Sequence, residues 1–129
     1  MSRFSYPLFL SDLAIVVAFS LGGIAFHHVQ GSLWDEFWRI SLPFLIGYLT
    51  AGWAAEAYET CESGREFVRK SSVGLVVGLV CSFFLRGMQR GEWPSPQFLA
   101  PSLFFFVLCS GGFRWGYWKL KGPPAHPAE

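Results

Sequence analysis

Four apolar stretches, each about as long as a membrane-spanning helix, dominate this sequence and limit what it can fold into. They run near Leu8–Phe26, Phe37–Ala55, Phe67–Leu85 and Phe98–Tyr117. A hydrocarbon layer about 30 Å thick requires roughly 20 helical residues at 1.5 Å each. Most of the acidic and basic residues fall between the stretches. The sequence therefore predicts an integral membrane protein that crosses the lipid bilayer four times.

Composition agrees with a membrane location. Charged residues make up 15% of the chain, hydrophobic residues 52% and aromatic residues 19%, whereas a soluble domain carries about 25% charged residues. Most of the exterior must therefore face lipid or other protein. The loops leave no room for a separate soluble domain, so we expect one domain over residues 1–129. A net charge of only +1 argues against nucleic-acid binding.

The short connections predict an all-α four-helix bundle with up-down-up-down topology and both termini on the same side. Lys and Arg residues mark the cytoplasmic side of a membrane protein. The side with the termini would hold seven of them (Arg3, Arg65, Arg69, Lys70, Arg114, Lys119 and Lys121), and the other side three (Arg39, Arg86 and Arg90). We therefore expect cytoplasmic or stromal termini in a prokaryotic inner or thylakoid membrane. The first stretch lacks an A-x-A cleavage site, which favours a retained helix, and the proline-rich tail 119–129 should be mobile.

Small residues recur at a spacing of four in every stretch, which places them on one stripe of each helix. Such stripes let helix backbones approach closely in lipid, where the hydrophobic effect does not drive association. We expect helix packing at these positions: Ala14, Ala18 and Gly22; Gly47, Ala51 and Ala55; Gly74, Gly78 and Ser82; and Gly112 and Gly116.

Asp12 is the most informative single residue, because it lies inside the first apolar stretch. An ionised carboxylate in the membrane is costly unless it is paired. Arg114 lies at a similar predicted height near the end of the fourth stretch, so we expect the two to form a polar pair. Such a pair can fix the register of the helices, or it can belong to a proton or ion relay.

Other residues raise the question of cofactors. His27 and His28 end the first stretch and could ligate a pigment or metal, although interfacial hydrogen bonding is the simpler role. The sequence has no HxxxH or ExxH spacing, so we expect no metal site. Cys61, Cys81 and Cys109 form no CxxC pair and are expected to be free thiols. Aromatic faces such as Phe104–Phe106 would meet lipid, or could accept chlorophyll, carotenoid or quinone.

No nucleophile–base arrangement, P-loop or Rossmann glycine pattern occurs, so the sequence does not predict an enzyme. Minimal loops and aromatic faces favour an accessory subunit that docks with other membrane subunits, with a photosynthetic or respiratory complex as one host. The alternative is a small transporter or channel that uses Asp12 and Arg114. A membrane enzyme using Asp12 or the two histidines ranks third.

Several short motifs resemble the family known as domain of unknown function 3054, whose members are small prokaryotic four-span membrane proteins. They are Asp12, the histidine that ends the first stretch, Pro43–Tyr48 (PFLIGY), Leu85–Gly87 (LRG), Pro101 and Gly112–Trp115 (GFRW). The resemblance covers about Asp12 to Trp115. The acidic second loop and the aromatic load of the fourth stretch depart from the family pattern. The resemblance implies a membrane location and topology but no activity.

Overall fold

The computed structural model describes residues 4–26 and 31–121, and these residues form four helices. They are α1 (Tyr6–Phe26), α2 (Leu33–Ala54), α3 (Gly64–Arg90) and α4 (Pro96–Lys121). The described ranges contain no β-strand, only one isolated antiparallel bridge between Phe4 and Glu59. The predicted all-α four-helix architecture is confirmed. α4 continues to Lys121 and so includes the first residues of the predicted tail, while residues 122–129 lie outside the described ranges.

The helices form an antiparallel bundle in which each packs against the next and α4 closes against α1. Along the α1–α4 pair, Asp12 contacts Arg114, and farther along α1 Phe19 contacts Phe106. α1 and α4 therefore run antiparallel. We call the end with Phe4, the α2–α3 connection (residues 55–63) and Lys121 the terminal end, and the end with the α3–α4 connection (residues 91–95) the far end. Both ends of the described chain lie at the terminal end.

Local sequence signals set the helix boundaries. Ser32 caps α2, and Ser63 caps α3 by accepting a hydrogen bond from the Glu66 amide at 3.2 Å. These serines satisfy backbone donors that a helix start leaves unpaired. α3 ends at Gly91, whose φ of 75° places it in the left-handed region that closes many helices.

Stacked aromatic rings fill the centre of the bundle. Phe44 of α2 and Phe106 of α4 are fully buried and stack at 5.2 Å between ring centroids, with Tyr48 and Phe19 against them. Val16 of α1 is equally buried in this cluster. We call these five residues, which come from α1, α2 and α4, the aromatic plug.

The predicted small-residue packing is observed between α2 and α3. A β-carbon on Gly47 would lie 2.9 Å from the Ser82 backbone nitrogen, and one on Gly78 would lie 2.8 Å from the Tyr48 ring. A β-carbon on Gly74 would lie 2.9 Å from that of Ala57 and 3.8 Å from that of Ala55. Ala51 is buried and Ala55 is half-buried. The backbones of α2 and α3 therefore meet along this seam.

The predicted seams of α1 and α4 need correction. Ala14 and Ala18 are exposed, and no heavy atom lies within 4 Å of a β-carbon built on Gly22, Gly112 or Gly116. α1 instead turns Leu8, Asp12, Ile15, Val16 and Ser20 inward, and α4 turns Ser102, Phe106, Ser110 and Arg114 inward. These helices approach one another through aromatic and polar side chains, so the predicted stripe positions do not form their contact.

Three of the four described helices, α1, α3 and α4, have the length and apolar composition needed to cross a membrane. This finding indicates a membrane protein. α2 is not among them, because Asp35, Glu36 and Arg39 occupy its first turns and Pro43 and Tyr48 lower the hydropathy of the remainder. The residues of α2 that face inward, including Phe44 and Gly47, are buried against the other helices.

Candidate functional site: a buried aspartate–arginine pair

The structure brings Asp12 and Arg114 together inside the terminal half of the bundle. Arg114 Nη2 donates to Asp12 Oδ2 at 3.0 Å, and the side chains of Arg114 and Asp12 are only 6% and 4% exposed. Asp12 lies about 9 Å along α1 from Tyr6, at 1.5 Å per residue. A charge pair at this depth is held away from solvent, so its interaction is much less screened than that of a surface ion pair.

Arg114 also binds groups from the α2–α3 connection and from α3. Its Nη1 atom donates to the Ala57 carbonyl at 2.8 Å and to the Ser71 hydroxyl at 3.0 Å. The guanidinium carbon lies 5.6 Å from the centre of the Tyr58 ring, within the range of a cation–π interaction. One side chain therefore links α4 to α1, to α3 and to the connection between α2 and α3.

The backbone turn after α2 explains how the connection reaches the centre of the bundle. The Ala57 amide donates to the Gly52 carbonyl at 2.8 Å, and the Glu56 amide donates to the Trp53 carbonyl at 3.0 Å. This pair of bonds is the Schellman pattern. Its left-handed position is filled by Glu56, with φ 61°, where glycine is the usual residue. The turn reverses the chain and directs Ala57 and Tyr58 inward.

A lysine on α3 holds this turn from outside. Lys70 Nζ lies 2.9 Å from a carboxylate oxygen of Glu56 and 2.9 Å from one of Glu66. Glu66 also accepts a hydrogen bond from the Glu62 amide. The acidic loop therefore has a local structural role, because these carboxylates bind one cation beside the turn.

Tyr58 and the start of the chain close the terminal end over the pair. The Ser5 amide donates to the Tyr58 carbonyl, and the Ser5 and Tyr117 hydroxyls lie 3.1 Å apart. Phe9 packs edge-on against the Tyr58 ring at 5.4 Å. Gly52 makes room for this ring, since a β-carbon there would lie 2.7 Å from Tyr58 Oη. The ring thus lies between the ion pair and the terminal end.

Two oxygen atoms in this cluster are buried without a hydrogen-bond partner among the described residues: Asp12 Oδ1 and Tyr58 Oη. Such groups are rare in native structures, and each calls for an explanation. Burial, followed by the negative charge of Asp12, raises the pKa of the Tyr58 hydroxyl well above its usual value. The hydroxyl therefore keeps its proton and remains a hydrogen-bond donor. Asp12 Oδ1 remains a hydrogen-bond acceptor without a partner among the described residues.

The sequence matches the profile of a family described as a protein of unknown function (DUF3054) over residues 9–117. This range covers most of the chain and includes both members of the ion pair. The protein belongs to the DUF3054 family. The resemblance expected from the short motifs is confirmed, over a slightly longer range than Asp12 to Trp115.

Two further comparisons add no relative to this DUF3054 protein. A comparison with curated proteins gives no match, and a comparison with solved structures gives none either.

A second buried arginine lies toward the far end of this DUF3054 protein. Arg86 of α3 is 6% exposed. Its Nη1 atom donates to the Arg39 carbonyl at 3.0 Å and to Gln89 Oε1 at 3.2 Å, and the guanidinium lies 5.7 Å from the centre of the Phe98 ring. Nearby, Glu36 pairs with Arg39 at 3.3 Å. Arg86 is bound by neutral groups only within the described residues.

The other predicted site residues lie apart from the pair or outside the described ranges. His27 and His28, the predicted pigment or metal ligands, fall in the segment 27–30, which lies outside those ranges. Residues 4–26 and 31–121 contain no group of three or more His, Cys, Asp or Glu side chains that could hold a metal ion. Cys61 is buried, Cys109 is half-buried and Cys81 is exposed, all as free thiols. Burial raises the pKa of the Cys61 thiol, with a further contribution from Glu66, which makes it unreactive.

Sequence reasoning does not find three contributors to the site: the Ala57 carbonyl, Tyr58 and Ser71. Tyr58 lies in the polar connection between α2 and α3, where an aromatic ring is typical of the membrane interface. No residue pattern marks it as an inward-pointing ring, since its position depends on a left-handed Glu56. The position of Ser71 could be inferred from the sequence. It follows Lys70 near the start of an apolar helix that must pass close to Arg114.

Proposed function

We propose that this DUF3054 protein is a non-enzymatic integral membrane protein that crosses the bilayer four times and serves as an accessory subunit of a larger membrane assembly. The observation that carries the proposal is the use of the buried charges. Arg114 directs its hydrogen bonds to Asp12, Ala57 and Ser71, so it joins helices and a loop to one another. A site occupied in this way supports an architectural role rather than catalysis.

The fourth span is α2. Its 22 residues correspond to about 33 Å at 1.5 Å per residue. It runs antiparallel between α1 and α3, both of which are apolar enough to cross a membrane, and it contacts both. Its charges lie in the first two turns, where headgroups and water are within reach of long side chains. A helix packed along two spanning neighbours shares their depth, so we assign it as a span.

The terminal end faces the cytoplasm in this proposal. Its described residues include five cations outside the buried pair, which are Arg65, Arg69, Lys70, Lys119 and Lys121, whereas the far end has Arg39, Arg86 and Arg90. Cations favour the cytoplasmic side during insertion. We expect a reporter enzyme that works only in the cytoplasm to be active when it is fused after residue 129, and a reporter that works only after export to be inactive there. Activity of a reporter that requires export would contradict the cytoplasmic assignment of the terminal end.

The outward aromatic face of α4 is where a partner would dock. Phe104 is 69% exposed and Trp115 is 68% exposed, with Leu108 and Phe113 also outward. Large rigid side chains contribute strongly to protein interfaces because they bury area at low entropic cost. Extraction in mild detergent followed by native gel migration tests the proposal. We expect migration in a larger complex, with any bound pigment or quinone identifying the host. Migration only as a monomer or small homo-oligomer would contradict the proposal.

A small proton- or ion-coupled transporter is the second candidate, and one observation favours it. Asp12 Oδ1 is buried without a hydrogen-bond partner among the described residues, as expected for a carboxylate that takes up a proton in another state, and the Tyr58 hydroxyl near it keeps its own proton. The aromatic plug separates them from the far end, so transport would require Phe44 and Phe106 to move apart. Asp12→Asn should then abolish a flux measured in liposomes, with Glu62→Gln as the control. Unchanged flux, or none in the parent protein, would exclude this candidate.

A further inference from the structure

A small cavity with a mainly apolar lining and two charged residues lies at the terminal end, outside the ion-pair cluster. It has a volume of about 210 Å³ and is formed where the start of α1, the α2–α3 connection, the start of α3 and the end of α4 meet. Since one water occupies about 30 Å³ in the liquid, the cavity has room for a group of roughly seven or eight non-hydrogen atoms. Drug-sized ligands require larger pockets, so the volume limits the ligand to a small group.

Opposite charges line this cavity without neutralising each other. Glu59 lies on the loop side and Lys121 on the α4 side. Among the described residues, neither side chain forms an ion pair within 4 Å, either with the other or with a third residue. An anion and a cation separated across one small space are complementary to a ligand that carries both charges.

The aromatic wall of the cavity places it at headgroup depth. Phe67 and Trp118 stack at 4.9 Å between ring centroids, and Tyr117 continues the stack with Phe67 at 6.5 Å. Tyr117 is held in turn by the Ser5 hydroxyl. Indole and phenol rings concentrate at the membrane–water interface. Because these rings stack on one another, they form a flat wall rather than the cage that encloses a quaternary ammonium.

We propose that this cavity binds a phosphoethanolamine group, in which a primary ammonium and a phosphate are joined by two carbons. The ammonium donates hydrogen bonds to the Glu59 carboxylate, and the Lys121 ammonium donates to the phosphate. The group can belong to a phospholipid of the leaflet at the terminal end or to a soluble compound. The proposal requires the membrane location but not the accessory-subunit role.

The test is native mass spectrometry of the full-length protein in detergent, with phosphatidylethanolamine, phosphatidylcholine and phosphatidylglycerol of identical acyl chains added at equal concentration. We expect phosphatidylethanolamine adducts to exceed the other two by about fivefold, the effect of one partly exposed ion pair of about 1 kcal/mol. Glu59→Gln should remove that advantage, because only phosphatidylethanolamine carries a primary ammonium. Lys121→Gln should instead lower the adducts of all three lipids by a similar factor, because all three carry the phosphate. Equal adducts for the three lipids would exclude a phospholipid as the source of the group.

Matched controls separate the cavity from general surface charge. Glu62→Gln and Lys119→Gln remove the same charges from neighbouring residues that do not line the cavity, and both should keep the preference. Loss of the preference in these controls would overturn the proposal. Titration with soluble O-phosphoethanolamine distinguishes the sources. Binding of the soluble compound alone assigns the cavity to a soluble ligand, whereas lipid binding assigns it to the membrane. Failure of both overturns the cavity proposal and leaves the accessory-subunit proposal standing, because that proposal depends on native migration.

Discussion

Two buried arginines, one toward each end of the bundle, are held in similar ways except for one partner. Arg114 and Arg86 each donate to a backbone carbonyl, and each lies less than 6 Å from the centre of an aromatic ring. Arg114 has a carboxylate as well, whereas Arg86 has a neutral amide oxygen. The comparison shows that an arginine can be buried with neutral partners alone. It also suggests that a carboxylate partner makes its position more important for stability.

A carbonyl and a ring suffice near a membrane surface, where a long side chain can still reach water or headgroups. Arg114 lies deeper, beneath the Tyr58 ring, and there the cost of an isolated charge requires a counter-charge. The carboxylate then ties α1 to Arg114, which also binds α3 and the α2–α3 connection. We therefore expect the two ends of the bundle to respond differently to substitution.

The largest expected effect comes from removing the counter-charge. Asp12→Leu leaves Arg114 buried without an anion, and breaking one side of a buried pair costs about 3–5 kcal/mol. Unfolding in mixed detergent micelles should show this loss in the free energy of unfolding. Glu62→Ala, which removes an exposed carboxylate at the same end, should change that free energy by less than about 0.5 kcal/mol. A loss for Asp12→Leu no larger than that of the control would refute the comparison.

Replacing the second arginine should cost less. Arg86→Met removes two charge-assisted hydrogen bonds to neutral acceptors but leaves no buried charge unpaired, so we expect a loss of about 1–3 kcal/mol. Arg90→Met on the same helix is the control, because Arg90 is exposed. If Arg86→Met destabilised the protein more than Asp12→Leu, the order of the two sites would be reversed.

The contact between the Tyr58 ring and Arg114 can be tested through Gly52. A β-carbon there would lie 2.7 Å from Tyr58 Oη, so Gly52→Ala should displace the ring and cost about 1–3 kcal/mol as overpacking. Gly112→Ala meets open space and should be neutral or slightly stabilising in a helix. Equal melting temperatures for the two variants would show that the position of the Tyr58 ring does not matter.

Much of the fold could be predicted from the sequence, because its signals are periodic and local. Helix positions follow from apolar stretches, and the α2–α3 seam follows from small residues spaced by four. The same spacing is misleading in α1 and α4, where Asp12 and Arg114 lie on the inward face and the predicted small-residue stripes do not form the contact. The Asp12–Arg114 contact is predictable because a charge in an apolar helix has few acceptable partners. Tyr58 is not, since its position depends on one left-handed backbone residue.

The smallest expected effect concerns the Tyr58 hydroxyl, whose oxygen has no hydrogen-bond partner among the described residues. Because the pKa of Tyr58 is raised in the folded protein, its proton stabilises the fold below the unfolded pKa of about 10 and this contribution is lost as pH rises above it. Tyr58→Phe should be nearly neutral at pH 7. Above about pH 10 the variant should become relatively more stable, by at most about 1.4 kcal/mol per pH unit. A pH-independent difference would contradict this assignment.

The most direct test of the central claim is a double-mutant cycle on the pair, using Asp12→Leu, Arg114→Met and the double variant in one unfolding assay. Each single variant should lose several kcal/mol, whereas the double variant, which has no unpaired charge, should recover much of that loss. We expect a coupling energy of about 2–3 kcal/mol between the two positions. Losses that add within about 0.5 kcal/mol would show that Asp12 and Arg114 do not hold the bundle together as a pair.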